Sequence, residues 1–458
     1  MAEIHSADEM LDQARLENGG DVDAAAVAYL GAGAQIARTI ETYARAQWSE
    51  LASSWSLLDF GSGYGRVTRF LCAALQAQGV EGSRIWTSDL LTGAVRFQRE
   101  VLRTESFVSD ADPEKVSWPR GDFDLIYVGS LFTHLPRRTF DTWLEVLFGR
   151  LSIDGTLLFS VHDLRLKPAG VAVDDEGFAF IESSESRELD HAVYGSTWIG
   201  PRALRRALDE LARRASVSLH WRRYPRALCG FQDLVAVSRR EIACERLGCV
   251  GQIDRAELAG DKYEGSFDLR LAGWSLAAGS EGNLAGEEAH PSGAGRDADE
   301  RESPGVRVEA QLISEPSPDA VASTHPEAER VDLDIVRREL CAEPGPAGWT
   351  LELQLPTRVL RGRDLLLVTA RGEGQAALST VLYAGTIDRL LLDRMEEHYR
   401  LRRDRVYELA ETIEQVKQSR FWRLRAAWFR WKRRLGWTSE SPTGPDLEPS
   451  DQRPRHQQ

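Results

Sequence analysis

Apolar residues in the first half of the chain follow two patterns that alternate along the sequence. Short continuous apolar runs predict buried strands, and between them apolar residues recur every three or four positions, which predicts helices. The strands are predicted at residues 57–60, 84–88, 106–109, 123–130 and 155–162. The helices are predicted after residue 65, over 93–103 and over 131–151. Such alternation predicts an α/β fold built on a mostly parallel sheet.

Further elements flank this alternating region. Two helices are predicted before it, over 6–16 and 22–48, with packing as their favoured role. Residues 163–201 lack a regular pattern and are predicted to form a functional loop. After the loop, a helix and an antiparallel strand pair are expected to complete the sheet, over 201–214, 217–221 and 228–237.

The second half of the chain has a different pattern. Short runs of alternating apolar and polar residues predict an antiparallel β-sandwich within 241–385. Its strands are predicted at 266–276, 306–313, 331–335, 349–355 and 365–370. Residues 278–304 carry almost no large apolar side chain and are predicted to be a disordered loop. Trp274 and Trp349 could bind sugar, but they alternate with core positions, so core packing is favoured.

Residues 386–418 are predicted to be one helix with a heptad pattern. Seven of its eight heptad positions are apolar; the positions are Leu392, Tyr399, Val406 and Ile413, paired with Met395, Arg402, Leu409 and Val416. This pattern favours a short parallel coiled coil and therefore a homodimer. The alternative is a single helix docked on the sandwich.

Residues 419–437 are strongly basic, with seven basic side chains and no acidic one. At helical spacing, an apolar stripe of Phe421, Leu424, Trp428, Trp431 and Leu435 lies opposite arginines. This composition predicts an amphipathic helix at the surface of an anionic membrane, and it resembles tails of bacterial glycan-assembly enzymes. A helix that binds a partner or docks on the same chain is the alternative. Residues 438–458 are predicted to be a disordered tail.

Composition limits the classes of function. The chain has 458 residues, which suggests two or three domains, and a net charge of −14 argues against nucleic acid as a partner. Of 57 basic residues 52 are arginine, a bias typical of GC-rich bacterial genomes. Five scattered cysteines and an N-terminus without a basic start or apolar core favour the cytoplasm. The cysteine spacing does not indicate a zinc site, and no metal is expected.

Residues 57–71, LLDFGSGYGRVTRFL, combine a buried strand, a glycine turn and the start of a helix. Glycines at 61, 63 and 65 would let the backbone approach a ligand closely, and the helix would direct its free N–H groups at it. A dinucleotide-binding fingerprint requires a third glycine where this chain has Arg66, so a nicotinamide cofactor is disfavoured. A purely structural turn is the other alternative.

The spacing Asp-x-Gly-x-Gly-x-Gly from Asp59 resembles the first motif of class I S-adenosylmethionine-dependent methyltransferases. The later order of FDLI, FTHLP and DGTLLFSVHD resembles the central part of bacterial members of that family. The resemblance spans roughly residues 20–240. It implies a Rossmann-like sheet with helices on both faces and S-adenosyl-L-methionine as cofactor.

The resemblance also implies roles for individual residues. Asp59 would face the ammonium end of the cofactor, and the turn would wrap its methionine and ribose parts through Gly61, Ser62, Gly63 and Gly65. Asp89, at the end of the second strand, is placed to accept the ribose hydroxyls, unless it only caps the next helix. Asp110 would bind the adenine amino group, and Ser130 would lie at the end of the fourth strand.

Methyl transfer to a hydroxyl benefits from a base within hydrogen-bond reach. His134, in the loop after the fourth strand, is the first candidate, although packing or capping is the commoner role of such a histidine. The pair His162 and Asp163, at the end of the next strand, is the second. Tyr194 and Trp198 are the aromatic candidates for an acceptor pocket.

These observations predict a cytoplasmic O-methyltransferase, which the basic segment could hold at the inner membrane surface. Its acceptor is predicted to be a saccharide or a nucleotide-linked or lipid-linked glycan in polysaccharide biosynthesis. The alternative is a cofactor-binding scaffold of a polysaccharide assembly complex that transfers nothing. The chain is predicted to begin with helices that cap the site (1–50), followed by the methyltransferase domain (51–240) and the sandwich (241–385). The coiled coil (386–418), the basic helix (419–437) and the tail (438–458) are predicted to follow.

Overall fold

The computed structural model describes residues 3–403 apart from internal gaps at 49–50, 52–53, 184–190, 192, 260–265, 283–305, 314–319, 329, 343–345, 357–364, 373–378 and 401–402. The chain divides into two compact units, Met1–Leu391 and Leu392–Gln458. The basic helix, the tail and most of the predicted coiled coil lie outside the described residues.

The first half of the chain forms alternating helices and strands. Two helices come first, α1 (Glu9–Glu17) and α2 (Val22–Gln47). The strands that follow are β1 (Leu57–Phe60), β2 (Ile85–Asp89), β3 (Glu105–Val108), β4 (Phe123–Val128) and β5 (Leu151–Val161). The helices between and after them are α3 (Thr68–Ala77), α4 (Thr92–Phe97), α5 (Arg137–Phe148) and α6 (Pro201–Ala215). The remaining strands are β6 (Phe178–Ile181), β7 (Ser196–Ile199), β8 (His220–Leu228) and β9 (Gln232–Ser238).

Seven of these strands build one mixed sheet in the order β3-β2-β1-β4-β5-β9-β8, and β6 and β7 pair separately with each other. The strands β1 to β5 run parallel to one another, and β9 runs antiparallel to both β5 and β8. The carboxyl ends of β1, β2, β4 and β5 therefore share one edge, where ligands bind in open α/β sheets.

Hydrophobic clusters cover both faces of this sheet. One contains side chains of α5 and α6, including Trp143 and Leu208, and the other contains side chains of α2 and α3, including Ile40 and Leu71. Because each face is buried under helices, the strands carry near-continuous apolar residues. The predicted Rossmann-like α/β fold with helices on both faces is confirmed.

Several element predictions in this half are wrong in detail. Residues 131–136 form a loop, and α5 begins only at Arg137, directly after Pro136. The predicted loop 163–201 contains the hairpin β6–β7, whose short strands pair over Phe178–Ile181 and Ser196–Ile199. The turn between β8 and β9 lies at 229–231, with positive φ at Cys229 and Gly230, so the two strands are displaced from their predicted positions.

The C-terminal region contains two further antiparallel sheets. One joins β10 (Cys249–Ala259), β11 (Ser266–Ala277) and β15 (Gly348–Pro356), and the other joins β14 (Ala320–Thr324), β13 (Val306–Ile313), β16 (Leu365–Gly372) and β17 (Ser379–Gly385). Leu269 and Leu353 of the first sheet share a buried cluster with Val308 and Val368 of the second. Trp349 is buried in the same cluster, which supports core packing for this side chain.

Two predictions in this region are wrong. Residues 331–335 form a helical turn that leads into α7 (Asp334–Glu339), not a strand, because this segment packs as a one-sided helix through Leu333 and Val336. Part of the predicted disordered loop is ordered: Ala278 is buried, and β12 (Glu281–Gly282) pairs with β8. The rest of that loop lies outside the described residues, and the domain boundaries stay predictions.

Residues 387–400 are helical. The predicted heptad side chains Leu392, Met395 and Tyr399 in this helix are 40%, 52% and 63% exposed. Across the described part of the chain, no helix combines the length and apolar character needed to cross a membrane.

Candidate active site

The glycine turn lies at the shared edge of the sheet, between β1 and α3. Gly61, Gly63 and Gly65 all have positive φ, at 73°, 54° and 75°. Side chains other than glycine rarely adopt this conformation, so the turn depends on these glycines. The backbone N–H groups of Gly61 and Ser62 donate to the carbonyl oxygen of Ser88 in β2, at 2.8 and 3.0 Å. The turn is therefore fixed against the end of the neighbouring strand.

Asp89 stands at the end of β2 and faces this turn. One of its carboxylate oxygens accepts from the N–H of Gly63 at 2.8 Å, and the other accepts from the N–H of Leu91 at 2.9 Å. Burial raises the pKa of the carboxyl, and these two backbone donors oppose the rise. Each oxygen retains lone pairs that could accept hydrogen bonds from the hydroxyl groups of a ribose.

Asp59 is buried at the end of β1, with 2% of its surface exposed. Its carboxylate accepts from the Thr68 hydroxyl at 2.6 Å, at the start of α3. Burial, reinforced by the nearby Asp89, raises its pKa to about 7 despite the Thr68 hydrogen bond. A buried carboxyl with few donors is well suited to a cationic ligand, because a cation would favour its ionised form.

The space in front of the turn fits a ligand that approaches the backbone. A Cβ atom built on Gly63 would have nothing within 4 Å, and one built on Gly61 would meet only Leu131, at 3.8 Å. At Gly65, by contrast, a Cβ would lie 2.3 Å from Leu102 Cδ1. The turn is therefore packed on its protein side and open on the other, with two acidic side chains beside the opening. These features fit S-adenosyl-L-methionine, whose positive charge and ribose hydroxyls match carboxylates.

The N-terminal segment also contacts this turn. The His5 ring stacks on the Tyr64 ring with centroids 4.4 Å apart, and Arg69 donates to the Glu3 carbonyl oxygen at 2.8 Å. Asp8 is buried and accepts from the Tyr29 hydroxyl. No motif marks these residues, since the contacts join segments that are far apart in sequence.

Asp110 follows β3 and Ser130 follows β4, at the same edge of the sheet. Asp110 is partly buried just after β3, and its carboxylate accepts from the N–H of Asp112 at 2.9 Å, within a local turn. Ser130 follows β4 with a positive φ of 60°, and its N–H donates to the Ser160 hydroxyl at 2.7 Å. Both stand at the edge of the sheet where the resemblance implies them, and their contacts to cofactor stay predictions.

His134 lies in the loop after β4, with its ring held on two sides. Its Nδ1 is 2.7 Å from the carbonyl oxygen of Gly195, and its ring stacks on Tyr194 with centroids 4.5 Å apart. Because a carbonyl only accepts, Nδ1 carries the proton and Nε2 carries the lone pair. Burial lowers the pKa of the imidazole, which favours its neutral form. A neutral, oriented imidazole of this kind can accept a proton.

His162 directly follows β5, at the same edge of the sheet. Burial, followed by the nearby His134, lowers its pKa to about 4. Trp198 and Phe231 lie 6.3 and 6.1 Å from its ring, measured between centroids, and Nε2 is 3.4 Å from the amide nitrogen of Gln232. Phe231 is 51% exposed, an unusual position for a large apolar side chain beside a strand end. Phe231 and Gln232 belong to the β8–β9 turn, whose position the sequence pattern did not reveal.

Asp163 does not suit the role of a base. Its carboxylate accepts two side-chain hydrogen bonds from Arg165, at 2.9 and 2.7 Å, and pairs with the buried Arg223, which also pairs with Asp233. These arginines outweigh burial and lower its pKa. The geometry therefore corrects the predicted pair: Asp163 belongs to a buried ion-pair cluster and not to His162. Among the described residues, no group of three or more histidine, cysteine or acidic side chains could hold a metal ion.

The sequence matches a known protein family, and the structure is similar to solved structures. Residues 58–159 match a family described as methyltransferase domain. A TehB-like SAM-dependent methyltransferase from Corynebacterium glutamicum is 17% identical, with coverage of 50% of this chain and 94% of that one and a TM-score of 0.30. The plantazolicin methyltransferase BpumL, solved with SAH, is 13% identical, with 51% and 95% coverage and a TM-score of 0.33. The CcbJ methyltransferase from Streptomyces caelestis is 14% identical, with 44% and 89% coverage and a TM-score of 0.31. No curated protein matches the chain.

The family match runs from the first strand to the fifth and so includes the glycine turn, Asp59 and Asp89. Together with the open turn and its two carboxyl groups, it gives this chain a methyltransferase domain, and S-adenosyl-L-methionine is the cofactor that fits this site.

Proposed function

We propose that the chain methylates a hydroxyl group of a saccharide, free or linked to a nucleotide or lipid, in the assembly of a bacterial polysaccharide. The observation that carries this proposal is His134, whose proton is fixed on Nδ1 by the Gly195 carbonyl oxygen. Its Nε2 is left as a base at the same edge of the sheet as the glycine turn. Methylation of a neutral hydroxyl is the reaction for which such a base is useful.

When bound, S-adenosyl-L-methionine supplies a methyl group on a positively charged sulfur. The methyl group would pass to the acceptor oxygen, and the sulfur would keep the electron pair of the broken carbon–sulfur bond. His134 takes the hydroxyl proton on Nε2. The glycine turn, Asp59 and Asp89 hold the methyl donor in line with the acceptor, which is the main requirement of a direct displacement.

The acceptor side combines aromatic faces with few polar groups. Tyr194 stacks on His134, while the buried Trp198 and the exposed Phe231 lie near His162. Binding sites of this kind orient a ligand by a small number of polar groups within an apolar wall. A sugar ring has apolar C–H faces and hydroxyl edges, so it matches this surface. The match between a sugar ring and these side chains supports a saccharide acceptor over a small charged acceptor without apolar faces.

The proposal includes a setting at the inner face of the cell membrane and a homodimer. Its support is the basic, tryptophan-rich pattern of residues 419–437 and the heptad pattern of residues 386–418. Both features would concentrate the enzyme where lipid-linked glycans are assembled.

The test is transfer of labelled methyl from S-adenosyl-L-methionine to a panel of nucleotide sugars, free oligosaccharides and lipid-linked glycans. We expect label in a saccharide, and we expect His134→Ala to lower kcat by about a hundredfold or more with unchanged cofactor affinity. His220→Ala, at the start of β8, is the control and should retain full activity. Label in no saccharide but in peptides or other small molecules would contradict the proposed acceptor, and full turnover by His134→Ala would remove the base. Cofactor binding without transfer to any acceptor would favour the scaffold.

A further inference from the structure

A single buried side chain, Gln98, supports the glycine turn from its protein side. It is fully buried, and it opens a π-helical segment (Gln98–Leu102) that continues α4. π-Helical segments are rare in proteins, and those that do occur often lie at functional sites. The segment places two side chains against the turn: Leu102 fills the position that a Cβ of Gly65 would occupy, and Gln98 reaches Ser62 and Gly63.

The amide nitrogen of Gln98 uses both of its protons on the turn. It donates to the Ser62 hydroxyl oxygen at 2.6 Å and to the Gly63 carbonyl oxygen at 2.7 Å. The Ser62 hydroxyl in turn donates to the Ser88 carbonyl oxygen at 3.1 Å. Because the Gly63 carbonyl can only accept, the nitrogen and not the oxygen of the amide must face it. The Gln98 oxygen is buried without a hydrogen-bond partner among the described residues.

These contacts fix the two peptide groups on either side of the Gly63 Cα, which face the proposed ligand site. The N–H of Gly63 holds the Asp89 carboxylate, and the next carbonyl along the chain, that of Gly63, is held by Gln98. Rotation of this part of the turn would break both hydrogen bonds and would displace the carboxylate expected to bind ribose.

We propose that Gln98 is a positioning residue for the cofactor: it holds Ser62 and Gly63 in the shape that binds S-adenosyl-L-methionine. Its loss then weakens cofactor binding far more than it weakens the fold. A glutamine amide is the only common side chain of this length that presents two donors and no charge.

Three variants test this role through the dissociation constant for S-adenosyl-L-methionine, measured by calorimetry, and through the melting temperature. Gln98→Met keeps the side-chain length and removes both hydrogen bonds. Gln47→Met is the matched control, since Gln47 is also a buried glutamine with two backbone hydrogen bonds, to Glu241 and Ala243, at 2.9 and 2.8 Å. We expect Gln98→Met to raise the dissociation constant about tenfold, with kcat at saturating cofactor nearly unchanged. Gln47→Met should lower the melting temperature and leave cofactor affinity unchanged.

Gln98→Glu provides a readout that a purely structural role would not change. An ionised carboxylate cannot donate to the Gly63 carbonyl, whereas a protonated one can. The ratio of its dissociation constant to that of the wild type should therefore fall as the pH is lowered from 8.5 to 5.5. Wild-type affinity in Gln98→Met, an equal loss in Gln47→Met, or a ratio that does not change with pH would each overturn the proposal. If Gln98→Met does not fold, the pH series with Gln98→Glu decides.

Discussion

At the scale of single residues, the environment of Asp59 links cofactor binding to pH. Burial raises its pKa to about 7, so the carboxyl is protonated below that pH and ionised above it. A positively charged ligand binds the ionised form better, so proton release accompanies binding below pH 7. We expect the affinity for S-adenosyl-L-methionine to rise from pH 5.5 to 7 and then to level off.

Calorimetry at pH 5.5, 6.5 and 7.5 would measure this effect, with the slope of the affinity approaching tenfold per pH unit at the low end. Asp59→Asn is the control, because its side chain has nearly the same shape and cannot ionise. An affinity of the wild type that does not vary across this range would show that the Asp59 carboxyl does not interact with the bound cation.

The conformation of the glycine turn and the position of its acidic residues could be predicted from the sequence, because both depend on local geometry. A run of alternating glycines directly after a buried strand strongly indicates a tight turn, and the position of Asp89 follows from the end of the next strand. Gln98, Phe231 and Gln232 could not be predicted in this way. Their roles depend on a π-helical segment and on the position of the β8–β9 turn, and neither leaves a periodic pattern in the sequence.

At the scale of elements, the junction of the turn with the π-helical segment should tolerate no added atom. Gly65 has a φ of 75°, and a Cβ there would lie 2.3 Å from Leu102 Cδ1. We expect Gly65→Ala to lower the melting temperature and to weaken binding of S-adenosyl-L-methionine at least tenfold, since the positive φ is strained in alanine and either Leu102 or the turn must move to accommodate the methyl group.

Gly79→Ala is the matched control for this prediction. Gly79, after α3, also has positive φ, at 93°, but its Cβ would meet nothing within 4 Å. This variant should lose about 1 kcal/mol of stability from backbone strain alone and retain cofactor affinity. Adding Leu102→Ala to Gly65→Ala should restore part of the binding. Equal affinities in Gly65→Ala and the wild type would show that the turn is not the binding site.

Elements with a strong period could be predicted from sequence, and those set by tertiary contacts could not. The buried strands β1, β4 and β5 are continuous apolar runs, so their burial is visible in the sequence. The hairpin β6–β7 is short and partly polar, and it is held by backbone hydrogen bonds such as that from Gly195 N–H to the His134 carbonyl oxygen, at 2.8 Å. The pattern at the start of α7 predicts a strand because a five-residue run of alternating residues does not distinguish a strand from a helix.

At the scale of the whole molecule, the exposed heptad side chains predict self-association. Leu392, Met395 and Tyr399 form an apolar stripe that is open to solvent. We expect a dimer by light scattering after gel filtration, and we expect Leu392→Glu combined with Tyr399→Glu to produce a monomer. Arg400→Glu, outside both heptad positions, should remain a dimer. A monomeric wild type would contradict the coiled coil.

The basic segment 419–437 carries a separate prediction about membranes. With seven basic residues and an apolar stripe, it should bind vesicles that contain anionic lipid and not neutral ones. In liposome flotation, the full chain should rise with anionic vesicles and a chain that ends at residue 418 should not. Equal flotation of the two would contradict a membrane role for this segment, and high salt should weaken the binding of the full chain.

The most direct test is calorimetric titration of the chain with S-adenosyl-L-methionine, beside Asp89→Ala and the control Asp209→Ala, which changes an exposed acid of α6. We expect one cofactor per chain for the wild type and the control, and an affinity lower by roughly a hundredfold for Asp89→Ala, since charge-assisted hydrogen bonds are lost. A wild type that binds no cofactor, or an Asp89→Ala variant that binds it as tightly as the wild type, would contradict the central claim that this turn and its two acids hold the methyl donor.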